Sequence, residues 1–148
     1  MVRRVQMTKR LKIDRYFRPC PVEEGDELFT NGIFEFNVTR MVAYVKHSPQ
    51  TIPLEEAAIK DISPGFSHID ECHLDAVDIS RPVILAEISP GRYNLIDGHH
   101  RVEKARRIGL ERIAAYRLSV EEHIQFLTDR KAYEIFVGYW NGKVKEIG

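Results

Sequence analysis

A strand-like segment that ends in a glycine-containing polar turn is the feature of this chain that most constrains its fold. Tyr93 to Ile96 alternates as a strand does, Asp97-Gly98-His99-His100-Arg101 follows, and a helical pattern starts directly afterwards. Backbone N–H groups at the start of a helix lack intrahelical acceptors and lie at the positive end of the helix dipole. A glycine there lets an anion approach, so we predict that Gly98, His99, His100 and Arg101 bind phosphate.

The residues around this turn predict two strands before it and a helix and a strand after it. Pro82 to Ile88 is a short apolar run, Arg92 to Ile96 alternates, and Ser89-Pro90-Gly91 between them is typical of a hairpin turn. After the polar turn, apolar residues at helical spacing and then a glycine predict a short helix, with another strand behind it. These positions are Val102, Ala105, Ile108 and Gly109 for the helix, and Arg112 to Leu118 for the strand.

Over this unit the chain resembles the ParB/sulfiredoxin-like superfamily. The residues that carry the resemblance are Arg81–Leu85, Leu95–Arg101, Ala105 and Ile108–Leu110. The match is good over residues 81–118 and extends back to Thr51. The resemblance implies an α+β fold in which a small mixed sheet with flanking helices carries a strand–turn–helix anion site.

Three branches of that superfamily use the turn differently. ParB proteins have Gly-Glu-Arg-Arg and hold a nucleoside triphosphate, and this chain shares with them Gly98 and Arg101. Sulfiredoxins have a cysteine where this chain has His99, which argues against sulfinic acid reduction here. The free-serine kinases have Asp-Gly-His-Thr-Arg and match best, because four of those five residues are present. The resemblance thus implies a nucleoside triphosphate (ATP or CTP), with or without Mg²⁺, or a phosphorylated small molecule on the turn.

Phosphoryl transfer or hydrolysis would need groups that move protons as well as a phosphate site. By resemblance we assign catalytic roles to His99, Asp97 and Glu56, the last because the kinases carry a catalytic glutamate before the turn. Asp97 has other interpretations: a turn cap, a residue that orients a histidine, or a magnesium ligand. His100 has no counterpart in the branches, so a structural or solvent-facing role is its alternative. The acids that compete with Glu56 are Glu55, Glu71, Asp75 and Asp78.

The alternative function is a ParB-like DNA-binding or nuclease module that has no helix-turn-helix of its own. It rests on a basic N-terminal segment that precedes an acidic one, in a chain whose formal net charge is 0. A basic segment can bind phosphate backbones, but it can also be solvated or pair with nearby acids. The basic residues are Arg3, Arg4, Lys9, Arg10, Lys12, Arg15 and Arg18, and the acidic ones are Glu23, Glu24, Asp26 and Glu27.

Length and composition favour one domain with no membrane partner. The 148 residues are 43% hydrophobic and 30% charged, which are ordinary values for a globular chain. No apolar run is long enough to span a membrane and no signal-peptide core follows Met1, so we expect a cytoplasmic protein. We expect Cys20 and Cys72 to be reduced thiols. The spacing of His68, Asp70, Cys72 and His73 fits no standard zinc site, and we assign no metal ligands.

The rest of the chain predicts elements on either side of the best-matching core, residues 51–118. On its N-terminal side, residues 1–30 form a leader. Phe34 to Phe36 then predicts a strand, and Asn37 caps a helix that ends near His47-Ser48-Pro49. Gln50 to Ala58 is ambiguous between strand and helix, and the resemblance favours the strand. Asp61 to Glu71 predicts a loop, because it contains Ser63-Pro64-Gly65 among polar residues.

Two helices are predicted after the core, over residues 119–141. The first begins at the capping-box spacing of Ser119 and Glu122. The second starts near Ala132 and should end at Trp140-Asn141-Gly142. An aromatic stripe of this kind forms either part of the core or a homodimer interface, and it consists of Tyr133, Phe136, Tyr139 and Trp140.

Overall fold

The structure is a computed structural model that describes residues 9–47, 51–62 and 69–147. Both strands and helices occur along these ranges. The strands are β1 (Leu28–Asn31), β2 (Phe34–Asn37), β3 (Leu54–Ala58), β4 (Val83–Ser89), β5 (Arg92–Asp97) and β6 (Arg112–Leu118). The α-helices are α1 (Val38–His47), α2 (Glu71–Leu74), α3 (His99–Arg107), α4 (Val120–His123) and α5 (Arg130–Ile147). Short 3₁₀ turns cover Ile59–Asp61 and Ile124–Phe126. The predicted α+β class, small sheets with flanking helices, is confirmed.

The larger sheet has four strands in the order β3-β6-β4-β5. β4 and β5 form the predicted antiparallel hairpin, whose tip glycine, Gly91, has a φ of +74°. β4 and β6 run parallel, which requires a crossover, and α3 supplies it between β5 and β6. The polar turn at Gly98 therefore lies at the end of an edge strand, where the chain leaves the sheet to enter the crossover helix.

Both faces of this sheet are buried, which explains the continuous apolar run of β4. Val83 and Leu85 point to the side that α3 covers, where they pack with Val102 and Ala105. Ile84 and the other alternate residues of β4 point to the opposite side, against α1, β2 and α5. The largest fully buried side chains on that side are Phe36, Phe136, Met41, Ile96, Leu118 and Leu127.

Local sequence signals predict several of these elements correctly. The Asn37 side chain accepts a hydrogen bond from the Arg40 N–H at 3.1 Å, which confirms the predicted cap of α1. The capping box of Ser119 and Glu122 is present at the start of α4. The ambiguous segment before residue 58 forms the strand β3, as the resemblance favours. β1 and α2 were not predicted, and residues 63–68 of the predicted loop lie outside the described residues.

The prediction that the last helix ends at Trp140-Asn141-Gly142 is wrong, because α5 continues to Ile147. The N-terminal segment holds these residues in helical conformation. The Asn141 side chain exchanges hydrogen bonds with the backbone of Leu11 at 2.7 and 2.9 Å, and Trp140 Nε1 donates to the Lys9 carbonyl at 2.9 Å. A helix-interior glycine costs about 1 kcal/mol, which such contacts offset. None of the helices in the described ranges is long and apolar enough to cross a membrane.

His123 is a fully buried titratable residue between the sheet and α5. Its Nε2 donates to the carbonyl of Glu87, and its ring packs edge-on against Phe36 and Phe136. Its Nδ1 is buried without a hydrogen-bond partner in the described structure. Burial lowers the pKa of His123 from 6.5 to about 4, because protonation of Nδ1 would bury a charge.

We expect the free energy of unfolding to fall as the pH drops from 7.5 to 5. The unfolded state binds a proton at His123 below pH 6.5, whereas the folded state does not until about pH 4. The loss at pH 5 should be about 2 kcal/mol, measured by urea unfolding at both pH values. A His123→Leu variant should show a shallower dependence, whereas a variant of the exposed His47, His47→Gln, should match the wild type. An equal loss in all three proteins would contradict this assignment.

Candidate functional site

A cleft of about 890 Å³ lies beside β5, and the predicted turn forms one of its walls. The opposite wall is one face of α1, with Thr39, Ala43 and Lys46. A third wall is the segment that follows α2, which contributes residues 76–78 and Arg81. The structure thus brings the turn together with residues far earlier in the chain, from Glu27 to Arg81.

The N-terminus of α3 offers backbone donors to this cleft. Gly98 is the N-cap, and no side chain caps the helix. The first intrahelical hydrogen bond runs from Val102 N–H to the Gly98 carbonyl at 3.0 Å. No described residue accepts a hydrogen bond from the N–H groups of His99, His100 or Arg101, and all three residues line the cleft. This end of α3 therefore has the donors and the dipole that suit an anion.

Gly98 is required by the packing of the turn against the sheet. Its φ is +107°, a conformation that side-chain-bearing residues rarely adopt. A Cβ at this position would lie 2.4 Å from Val83 Cγ1 and 3.0 Å from Arg101 Nε. A glycine is therefore needed at this position so that the turn can lie directly on β4. The sequence suggests a different reason, the close approach of a ligand.

Asp97 and Arg101 form an ion pair at the base of the turn. The Arg101 guanidinium donates to the Asp97 carboxylate at 2.9 Å, and the two side chains are 10% and 21% exposed. Asp97 therefore holds Arg101 in place across the turn, and the cap role considered for Asp97 is not seen. Arg101 lines the cleft with its charge already partnered, so a bound anion would share this guanidinium with Asp97.

His99 is half-buried and stacks on Phe29 of β1, with ring centroids 5.1 Å apart and planes 27° apart. Burial lowers the pKa of His99 below its usual value, and the nearby Asp97 carboxylate opposes this shift. His99 is therefore neutral at pH 7, and a neutral imidazole carries one donor and one acceptor nitrogen. It suits proton transfer or a neutral hydrogen bond to a bound phosphate better than the charge-assisted donation that a protonated histidine would supply.

His100 joins the turn to the segment around α2. Its Nε2 accepts a hydrogen bond from the Asp70 N–H at 3.0 Å, and its ring packs edge-on against His73. Lys104 of α3 also fastens this segment, since its ammonium donates to the carbonyls of Asp75 and Val77 at 3.1 and 2.9 Å. This contact of His100 is structural. A structural role was the alternative to its predicted role in phosphate binding.

The predicted acids are distributed over different parts of the molecule. Glu56 lies exposed on β3, the far edge of the sheet from β5, so about 14 Å of sheet width separates it from the turn. It does not line the cleft. Asp78 does, and hydrogen bonds from Ser80 hold its pKa below the usual range. Of the other competing acids, Glu55 pairs with Arg117 and Glu71 pairs with Arg107. Asp75 is exposed and does not line the cleft.

Several cleft residues were not predicted to belong to the site. Glu27, Phe29 and Lys46 line the cleft although they lie more than 50 positions before the turn, and Arg81 was identified only as part of the superfamily resemblance. Among described residues, no group of three or more His, Cys, Asp or Glu side chains is arranged to hold a metal ion, and His68 lies outside those residues. Cys20 is buried and Cys72 is exposed, and both are free thiols.

No protein-family model matches the chain, and no curated protein matches it.

We expect Gly98→Ala to destabilise the fold by about 3 kcal/mol or more, because it combines a strained φ with a clash against Val83. Gly91→Ala is the matched control. Gly91 also has a positive φ, but a Cβ there would meet nothing within 4 Å, so about 1–2 kcal/mol is expected. Urea unfolding of the two variants measures the difference, and equal losses would show that packing against Val83 is unimportant.

We expect Asp97→Asn to destabilise the fold by about 3 kcal/mol, because it leaves the buried Arg101 guanidinium without a counter-charge. Glu23→Gln, which removes an exposed partner of Arg40, should cost less than about 1 kcal/mol. In a double-mutant cycle with Arg101→Met, the Asp97 and Arg101 losses should be strongly non-additive. Additive losses would mean that the two side chains act independently.

Proposed function

We propose that this chain is a ParB/sulfiredoxin-like domain that binds a nucleotide or another polyphosphate in the cleft at the Asp97–Arg101 turn. The observation that carries the proposal is the free N-terminus of α3: three backbone N–H groups without described acceptors, on residues that line a cleft. A helix N-terminus of this kind attracts phosphate through its dipole and its donors together. The strand–turn–helix–strand order of β5, α3 and β6 supports the superfamily.

Two exposed cations of the cleft could contact an anion. Lys46 on α1 and Arg81 after α2 are exposed at the cleft, and neither forms an ion pair within the described ranges. Asp97, by contrast, is already paired with Arg101. The two exposed cations are thus available to a ligand. Of the three carboxylates that line the cleft, Asp97 is neutralised by Arg101 and Asp78 lies within electrostatic reach of Arg81, whereas Glu27 forms no ion pair with a described residue.

The shape of the cleft suits a ligand with both an apolar and an anionic end. Its volume is about 890 Å³, within the usual range for small-molecule sites. Apolar side chains form part of the lining, among them Leu28, Phe29 and Val42. A nucleotide combines a planar base for such a surface with phosphates for the α3 terminus and the two cations.

Phosphoryl transfer or hydrolysis would draw on the groups nearest the turn. His99 is neutral and could accept a proton from a nucleophile, whereas Glu56 lies at the other edge of the sheet. Mg²⁺ needs one or two carboxylates in addition to phosphate oxygens, and the cleft offers Glu27, Asp78 and Asp97 for that purpose. We therefore propose that His99 is the proton acceptor. A carboxylate of the cleft would take the catalytic role that the resemblance assigns to Glu56.

A DNA-binding module is the second candidate, and the N-terminal segment favours it. Five basic side chains of that segment are exposed, and none forms an ion pair with a described residue: Lys9, Arg10, Lys12, Arg15 and Arg18. The segment is also fixed in place, since Tyr133 stacks on Phe17 and its hydroxyl accepts from the Asp14 N–H at 2.7 Å. A fixed row of unpaired cations can contact phosphates of a nucleic acid backbone.

Calorimetric titration with ATP, CTP, GTP, ADP and pyrophosphate, with and without Mg²⁺, tests the first proposal. We expect binding of at least one of them, and about tenfold weaker binding in Lys46→Ala and Arg81→Ala, because each removes a cation of the cleft. Lys60→Ala, which removes an exposed lysine outside the cleft, is the matched control and should bind as the wild type does.

Two results would count against the nucleotide site. Equal affinity in Lys46→Ala, Arg81→Ala and wild type would place the ligand elsewhere. No binding of any of the five anions, together with binding of duplex DNA that weakens steeply with salt and with Lys12→Ala, would favour the DNA-binding module instead.

A further inference from the structure

One face of α5 is apolar and exposed. Ile135 is 44% exposed and Tyr139 is 39% exposed, whereas Tyr133, Phe136 and Trp140 of the same helix are buried. Gly138 and Gly142 lie on the same face, because positions 135, 138, 139 and 142 are spaced by three, four and seven residues. The face therefore combines two large apolar side chains with two positions that have no side chain.

The described residues leave most of this face uncovered, although the Tyr139 ring also lies near Phe34 and beneath the Lys143 ammonium. The inner face of α5 packs into the core through Tyr133, Phe136 and Trp140. The N-terminal segment lies along a second face, where it bonds to Asn141. On the remaining face, a Cβ added at Gly138 or Gly142 would meet nothing within 4 Å.

The two glycines weaken the helix, and no contact inside the described fold compensates for this loss. Each costs about 1 kcal/mol relative to alanine in a helix interior. Neither glycine has a positive φ or a close neighbour that would exclude a side chain. Their absent side chains instead leave two shallow depressions beside Ile135 and Tyr139, of a kind that lets a second helix approach closely.

We propose that this face of α5 binds the same face of a second copy of the chain, with the two helices antiparallel and crossing near Gly138 and Tyr139. Tyr139 of each copy then packs over Gly138 of the other, and Ile135 packs over Gly142. A two-fold symmetric interface must be complementary to itself, and this pairing of large with absent side chains meets that condition. The proposal is independent of any ligand in the cleft.

The charges at the ends of the face select the antiparallel direction. An antiparallel pair centred between residues 138 and 139 places Lys131 opposite Glu146 of the other copy, and Glu134 opposite the turn that contains Lys143 and Lys145. A parallel pair would instead place each of these residues beside the identical residue of the other copy. Glu134 and Glu146 pair within their own helix, with Arg130 at 3.3 Å and Lys143 at 3.6 Å, and such exposed pairs exchange partners at little cost.

Sedimentation equilibrium of the full chain, from micromolar to submillimolar concentration, tests the association. We expect a reversible dimer that Tyr139→Glu weakens by at least about tenfold. Gly138→Ala gives a sharper test, because it should raise the thermal stability of the monomer through helix propensity while it weakens the dimer. A wild-type chain that stays monomeric throughout, or a Gly138→Ala variant that dimerises as the wild type does, would overturn the proposal.

Disulfide trapping in a Cys72→Ser background tests the direction. Tyr139→Cys lies close to the two-fold axis and should cross-link to itself under mild oxidation. Ile135→Cys and Gly142→Cys should each remain uncross-linked alone and should cross-link when the two proteins are mixed. Glu121→Cys, exposed on α4, is the control and should stay monomeric. Self-cross-linking of Ile135→Cys would indicate parallel helices, and cross-linking equal to that of the control would overturn the interface.

Discussion

The ion pair between Asp97 and Arg101 is the interaction on which the site depends. It spans the turn from the last residue of β5 to the first turn of α3, and it is largely shielded from water. Because Gly98 lies directly on Val83, the two charges are held close to the sheet rather than out in solvent. The direction in which α3 leaves the sheet, and hence the direction of its free N–H groups, follows from these two contacts.

The same turn gives its two histidines different chemistry. His99 is desolvated beneath Phe29, which lowers its pKa and leaves it a neutral ring. His100 accepts a backbone hydrogen bond from Asp70 and fastens the segment that forms another wall of the cleft. Neighbouring residues of one type thus differ in role because one meets a side chain of β1 and the other meets the backbone before α2.

The sequence predicts most of what depends on local signals. Alternation gave β5 and β6 nearly to the residue, and side-chain caps gave the starts of α1 and α4. The cleft depends on contacts between distant parts of the chain, and no local pattern connects Phe29 or Lys46 with the turn. Glu56 was placed by its order along the chain, whereas its distance from the turn depends on which edge of the sheet β3 occupies.

Glycine shows most clearly where local reasoning ends. Gly98 and Gly142 were both interpreted as marking a boundary, the first a helix start and the second a helix end. Gly98 does precede a helix, but its necessity comes from Val83 of another strand. Gly142 lies inside α5, a helix that is held together here by hydrogen bonds to the N-terminal segment. It is on a face where no residue of the described chain needs the space. If a second copy fills that space, then intermolecular packing explains a residue that the conformation of the single chain does not require.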